Sequence, residues 1–323
     1  MQEIRILITT YHQAFLLRGG GEYEIFSIAD GLKQKGLIVD IYGPYSRSLD
    51  NYDVILHFSV HEGGLDLIRE LKALGKPIVL WPNLWMHTLP DPALINLINE
   101  HVKLADIVVF KSTSEELHVR QHCVDLRDKA RRIFTVADPL YKTPAPKRLF
   151  KELYGVDRYA IWFGIIDPNK NQLAAIRVLR QKGIPLVLVG SARDKSYYEE
   201  CKKAAGENVI FIEGLSPKSE IVRSALQEAL FYIEVSFEPA GLSAIEAGLS
   251  GCRLLLNDLA WSREHFGDHA VYADPYSDKD ISRAVDEVLE RPRNQQYLVA
   301  ELDKFCFPTS LDSVLKVFEE LLK

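Results

Sequence analysis

Short apolar runs alternate with longer stretches whose apolar residues recur at three- and four-residue spacing, from the N-terminus almost to the C-terminus. The first pattern is that of strands buried on both faces and the second that of helices packed on one face. Their alternation predicts parallel sheets in an α/β protein. In the first half the pattern predicts strands at 4–9, 37–42, 54–56, 78–81, 107–110 and 133–135, with helices near 22–35, 65–74, 93–104 and 114–121. A proline-rich break over 138–146 reads as a linker. A second series follows, with strands at 160–163, 186–189, 209–212, 229–235 and 253–257 and helices at 172–182, 197–205, 218–226, 243–249, 280–290 and 295–305. Pro308 interrupts, and 309–322 predicts a last amphipathic helix. The expected organisation is two similar doubly wound domains, 1–143 and 144–306, with 307–323 crossing back to the first. No sequence repeat relates the halves.

Composition narrows the picture. A chain of 323 residues has room for two domains that each bury a core, and 47% hydrophobic with 26% charged residues is an ordinary soluble mixture. A net charge of −6 offers no cationic surface, so nucleic acid is not an expected partner. Cys123, Cys201, Cys252 and Cys306 share no metal-ligand spacing and read as reduced thiols of a cytoplasmic protein. The stretch 1–8 reads as a first strand, not a signal peptide, and no apolar run approaches the roughly 20 residues of a membrane span. Arg120, Arg127, Lys129, Arg131 and Arg132 leave open a peripheral contact with an anionic inner membrane face. Asp125 and Asp128, interspersed among them, fit a solvated helix face instead.

The candidate chemistry concentrates between Phe237 and Gly251. Glu238 and Glu246 are separated by seven residues across a strand-to-helix turn. Pro239 and Gly241 break the preceding strand, and Gly251 ends the helix that follows. Glu238 is thereby expected on the loop at the carboxyl end of a parallel strand, and Glu246 in the first turn of the next helix. Such strand ends are where open α/β sheets bind ligands, and a helix N-terminus favours anions. Two plainer readings compete. Ser243 and Glu246 have capping-box spacing, and Glu238 fits a solvated loop acid.

The stretch resembles the Glu-x7-Glu signature of retaining glycosyltransferases with the GT-B fold, specifically glycosyltransferase family 4, whose usual text is close to E-P-F-G-L-x-x-L-E-A-x-A-x-G. Glu238, Pro239, Gly241, Leu242, Glu246, Ala247 and Gly251 match it. The resemblance implies two Rossmann-like domains facing a deep interdomain cleft. It implies that Glu246 binds the ribose hydroxyls of a nucleotide and that Glu238 sits by the donor sugar, with backbone N–H groups of Ala240, Gly241 and Leu242 at the sugar hydroxyls. Further agreement lies in 189–191, in 211–215, which brings Leu215 to the nucleotide, and in 261–275. It covers most of 155–290 well and the first domain loosely.

Two glycine-bearing loops fit phosphate handling. Arg18 to Glu22 opens the first helix and resembles the family's GG-x-E turn, which places Gly20 and Gly21 near the donor diphosphate. Gly164 to Asn171 occupies the equivalent loop of the second domain, where the family reads G-R-L-x-P-x-K-G/N. Lys170 stands at the matching offset, with an exposed loop lysine as the alternative. Ile165 occupies the arginine position, and the missing guanidinium removes a contribution of about 2–4 kcal/mol to binding a leaving diphosphate. Arg18 and Arg193 are candidate substitutes. On the acceptor side, His61 and Glu62 match the strand end that delivers a histidine in the family; His57 fits a packed strand residue, and His87 is a second candidate.

The resemblance implies transfer of a sugar from a nucleotide diphosphate sugar, UDP-sugar ahead of GDP-sugar, to a glycan or lipid-linked acceptor with retention at the anomeric carbon. The donor is a substrate and no cofactor or metal is expected: the only Asp-x-Asp spacing, Asp278 to Asp280, opens a late helix and reads as a cap. Two alternatives stay open, a nucleotide-sugar epimerase on the same scaffold and a non-catalytic sugar-nucleotide-binding partner in glycan assembly.

Overall fold

A computed structural model describes residues 4–16, 19–84, 91–122, 126–293 and 296–323. The chain forms two compact units, Met1–Ala137 with Phe305–Lys323, and Asp138–Lys304.

The first unit is built from β1 (Arg5–Thr9), α1 (Gly20–Gln34), β2 (Ile38–Ile41), β3 (Val54–Phe58), α2 (Glu62–Ala73), β4 (Ile78–Trp81), α3 (Pro92–Leu104), β5 (Ile107–Phe110), α4 (Thr113–His122) and β6 (Ala130–Arg132). The strands form one parallel sheet in the order β2-β1-β3-β4-β5-β6. Side chains alternate across it: Ile6, Ile8, Leu56, Val79 and Val109 enter a core with α1, while Leu7, Ile55, Ile78, Leu80 and Val108 enter another with Ile68 and Val102 on the opposite face. Burial on both faces is why these strands read as unbroken apolar runs. The strand expected at 133–135 lies three residues earlier, at Ala130–Arg132. As the sheet's edge it has one neighbour, so Arg131 and Arg132 are tolerated there and apolarity does not mark it. The ladder continues one residue on, through the bond from Ile133 N–H to Phe110 O (2.9 Å).

The second unit comprises α5 (Leu149–Tyr154), β7 (Ala160–Phe163), α6 (Gln172–Gln181), β8 (Leu186–Val189), α7 (Lys195–Ala205), β9 (Val209–Ile212), α8 (Glu220–Glu228), β10 (Phe231–Glu234), α9 (Leu242–Leu249), β11 (Leu254–Asn257), α10 (Ala260–Phe266), β12 (Val271–Ala273), α11 (Asp278–Glu290) and α12 (Gln296–Leu302). Its parallel sheet has the order β12-β11-β10-β7-β8-β9. The last helix, α13 (Asp312–Leu321), buries Val314, Val317 and Phe318 in the core that holds α1 of the first unit.

Each order contains one reversal of winding, between β1 and β3 in the first sheet and between β7 and β10 in the second. At such a point successive loops leave in opposite directions and open a crevice beyond the strand ends. The sequence places its candidate loops at these two reversals.

Candidate functional site

At the β7/β10 reversal the ladder between the two strands ends at Ile161 and Tyr232, two residues before either strand stops. Polar side chains span the gap. Ser243 Oγ donates to Phe163 O (3.1 Å), and Tyr232 O–H donates to Glu234 (2.8 Å) and approaches Phe163 O (3.4 Å). The loop after β7 carries a one-turn 3₁₀ segment, Pro168–Lys170, started by Asp167, whose Oδ1 accepts Asn169 N–H (3.0 Å). Asn171 then adopts a left-handed conformation (φ 56°), and its buried amide donates to Val235 O (3.0 Å) and Pro275 O (2.8 Å), fixing the loop against the one that follows β10.

These loops bring Lys170 and Glu238 together: Nζ lies 3.1 Å from Glu238 Oε2 and 3.4 Å from Glu234 Oε1. Burial works against the ammonium, but the two carboxylates outweigh it and hold Lys170 above its ordinary pKa. The Glu238 loop is itself pinned. Ser236 Oγ donates to Glu238 O (2.6 Å), and the amide of Asn257, buried at the end of β11, bonds both Ser236 O (2.8 Å) and Glu238 O. Asn257 Oδ1 accepts Ser262 O–H (2.5 Å) and so is fully used. Ala240 is buried and Leu242 half-buried, while Gly241 N–H points to Glu234 Oε2 (3.4 Å). Gly190, just after β8, packs against the backbone of Gly164. Its φ is +155°, and a Cβ there would meet Gly164 O at 2.0 Å, so only glycine lets β8 pass the loop that carries Lys170.

Glu246 is not a capping residue. Helix α9 starts from Gly241 with no side-chain cap, and Ser243 is committed to Phe163 O. The carboxyl of Glu246 is hydrogen-bonded by Tyr141 and sits near Lys218 and Asp138. Burial pushes its pKa up to about 8, with Tyr141 and Lys218 pulling the other way. Lys218 is held by Asp138 (2.7 Å) and donates its backbone N–H to Tyr141 Oη (3.3 Å). The loop from β9 to α8 thereby presents Lys218, left-handed at φ 63°, beside Glu246, and the same loop carries half-buried Leu215.

In the first unit the β1/β3 reversal carries Gly20, Gly21 and His61. Helix α1 begins after Gly19, whose N–H is accepted by Glu22 Oε2 (2.6 Å); Glu22 also accepts Tyr11 O–H (3.1 Å). Gly20 has open space where a Cβ would stand, while a Cβ on Gly21 would lie 2.8 Å from Asn83 Nδ2. Lys111, at the end of β5, bonds Glu24 and Asn83 Oδ1 (2.5 Å) and anchors α1 from beneath. Buried Glu115 accepts the N–H groups of Leu84 (3.0 Å) and Lys111 (2.7 Å), and burial raises its pKa to about 7. His61 is exposed, its ring against Tyr11 with centroids 4.3 Å apart. His57 is fully buried, bonds Thr9 through Nδ1 (2.8 Å) and is a core residue, its pKa lowered to about 3 by burial. Arg18 and His87 lie outside the described residues. Asp278 and Asp280 open α11 behind the cap Ser277 and pair with Arg177 and Arg283.

Residues 148–304 match the family model described as Glycosyl transferases group 1. Among solved structures the chain is similar to HepE from Anabaena in complex with UDP and glucose, at 16% identity and a TM-score of 0.78, covering 98% of this chain and 100% of that one. It is similar also to a glycosyltransferase from Rickettsia africae (13% identity, TM-score 0.76, 100% of both chains) and to sucrose-phosphate synthase from Thermosynechococcus elongatus (14%, 0.71, 98% and 96%). No curated protein matches the sequence. The fold is GT-B.

On this GT-B scaffold, sequence reasoning missed several residues of the second unit's site. Glu234 was hidden in an apolar run, although a lone carboxylate at the end of a buried strand is itself a signal. Tyr141 lies in the stretch that reads as a linker, and no pattern marks it. Arg193, a candidate substitute for the absent arginine, is exposed on the loop after β8, with its backbone N–H bonded to Ile166 O (3.1 Å). Among the described residues no cluster of three or more metal-ligating side chains is present, and no helix is long and apolar enough to cross a membrane.

Proposed function

We propose that this chain is a retaining glycosyltransferase that moves a sugar from a nucleotide diphosphate sugar, a UDP-sugar ahead of a GDP-sugar, to a glycan or lipid-linked acceptor. The observation that carries the reading is the meeting of Lys170 and Glu238 at the β7/β10 reversal, within the unit that matches the glycosyl transferases group 1 model. Lys170 supplies positive charge for the leaving diphosphate, and Glu238 supplies an acceptor for the donor sugar's hydroxyls. Glu246, Tyr141 and Leu215 form the nucleoside side, with the Glu246 carboxyl meeting ribose hydroxyls. In the first unit, the open N-terminus of α1 at Gly20 and Gly21 supplies N–H groups for anionic oxygen, and His61 serves the acceptor hydroxyl. Catalysis then consists of positioning and electrostatic stabilisation of an oxocarbenium-like state, with donor phosphate oxygen taking the acceptor proton. The reading invokes no metal and no bound cofactor, since it assigns the leaving charge to Lys170 and to backbone N–H groups.

The test is turnover of UDP- and GDP-sugars by purified protein across an acceptor panel, with the anomeric configuration of the product read by NMR and chelator added in parallel. A product of retained configuration, formed equally with chelator, is expected; an inverted product rejects the mechanism, and an isomerised donor without acceptor identifies an epimerase. Ile165 in the usual arginine position favours one second reading, a non-catalytic sugar-nucleotide binder. Nucleotide binding without turnover on any acceptor is its signature.

A further inference from the structure

Glu234 is a buried carboxyl at the β7/β10 reversal for which the proposed reaction has no role. Its side chain is 2% exposed at the carboxyl end of β10. Its carboxylate faces donors from three elements: Lys170 Nζ on the loop after β7 (3.4 Å), Tyr232 O–H on its own strand (2.8 Å) and Gly241 N–H at the start of α9 (3.4 Å). Of the three, Lys170 is the group the reading above assigns to the donor's diphosphate, and Gly241 N–H is one the family resemblance implies at the donor sugar. With Glu238 also on Lys170, one ammonium stands between two carboxylates, and Ile165 adds no compensating guanidinium. With both carboxylates ionised, this cluster of three side chains carries a net negative charge.

We propose that Glu234 is a positioning residue that weakens the hold of this site on a nucleoside diphosphate, by engaging Lys170 and Gly241 N–H and by adding a buried negative charge beside them. The inference rests on the reading that a nucleotide sugar binds here. The physical logic is that an anion arriving at Lys170 shares its one cation with a carboxylate that has no solvent to turn to, and two like charges close together in a poorly screened site repel strongly. A diphosphate product is then released more readily than a lysine alone would allow. Glutamine at this position removes the charge and can still be satisfied. Its carbonyl faces Lys170, its amide donates to Tyr232 Oη while the Tyr232 O–H turns to Phe163 O, and Gly241 N–H is freed for ligand.

The experiment is calorimetric titration of UDP and GDP, alongside uridine and guanosine, into wild type and Glu234→Gln at low ionic strength. The expected result is a nucleoside diphosphate bound about tenfold or more tightly by the variant, with the matching nucleoside unchanged, because only the diphosphate reaches Lys170. Added salt narrows the difference. A merely structural role would weaken both ligands together. If Glu234→Gln fails to fold, Glu234→Met, which removes the charge and has no amide to place, carries the same expectation. Unchanged or weaker diphosphate binding by a folded variant overturns the inference and leaves the nucleotide reading standing. Wild type that binds neither nucleotide nor nucleoside overturns both.

Discussion

Lys170 and Glu246 occupy opposite electrostatic situations within one unit. Lys170 keeps its proton because two carboxylates outweigh its burial, whereas Glu246 has Tyr141 and Lys218 near it and still cannot offset its own. This separates their effects on substitution. Glu246→Ala is expected to weaken nucleotide affinity by about tenfold, the loss of one hydrogen bond, while Glu238→Ala lowers turnover with little change in nucleotide affinity. Equal losses in both parameters for both variants would contradict the assignment, and steady-state kinetics with calorimetry decides. The raised pKa of Glu246 also has a sign. Between the ordinary carboxylate range and about 8, the folded chain holds a proton that the unfolded chain has released. Stability from this group therefore falls as pH rises through that window. Denaturant melts from pH 5.5 to 8.5 are expected to show a shallower fall for Glu246→Gln than for wild type; an identical slope would reject the assignment.

At the scale of elements, the two reversals of strand order do most of the positioning. The alternation of apolar runs with helical periods placed ten of the twelve strands within two residues, because strands buried on both faces have no polar positions to confuse the pattern. It misplaced β6, the edge strand rich in arginine, and passed over α5, α10 and β12, which are short. Helix α13 has a clear role: its Phe318, with Leu311 in the turn just before it, is fully buried among residues of β1 and α1. Phe318→Ala is expected to destabilise the first unit by about 3–5 kcal/mol through the cavity it leaves. Chemical denaturation measures this, and a loss under about 1 kcal/mol would show that the helix packs more loosely than its burial indicates.

At the scale of the whole molecule, the two sheets share an architecture but divide the chemistry. The carboxylate and lysine cluster of the nucleotide reading belongs to Asp138–Lys304, and the glycine turn and His61 belong to the other unit. Saturating UDP at a hundred times its Kd is expected to stabilise the protein by about 2.7 kcal/mol. In hydrogen exchange the strongest protection should fall on 164–171, 213–219 and 234–246. Protection concentrated in the first unit instead would place the nucleotide elsewhere.

The sequence by itself determined the α/β class, most strand and helix positions, and the local spacing that sets Glu238 and Glu246 around a strand-to-helix turn. These follow from periodicity and from glycine and proline, which act over a few residues. Tertiary structure alone decided which groups meet. Lys170 reaches Glu238 across a separation of 68 positions because β7 and β10 are neighbours in the sheet although β8 and β9 lie between them in the chain. Tyr141 reaches Glu246 from a segment with no periodicity, and Glu234 becomes a charged hub only where two strands part. Such partners are fixed by the order in which strands pack, which the pattern of single residues does not encode.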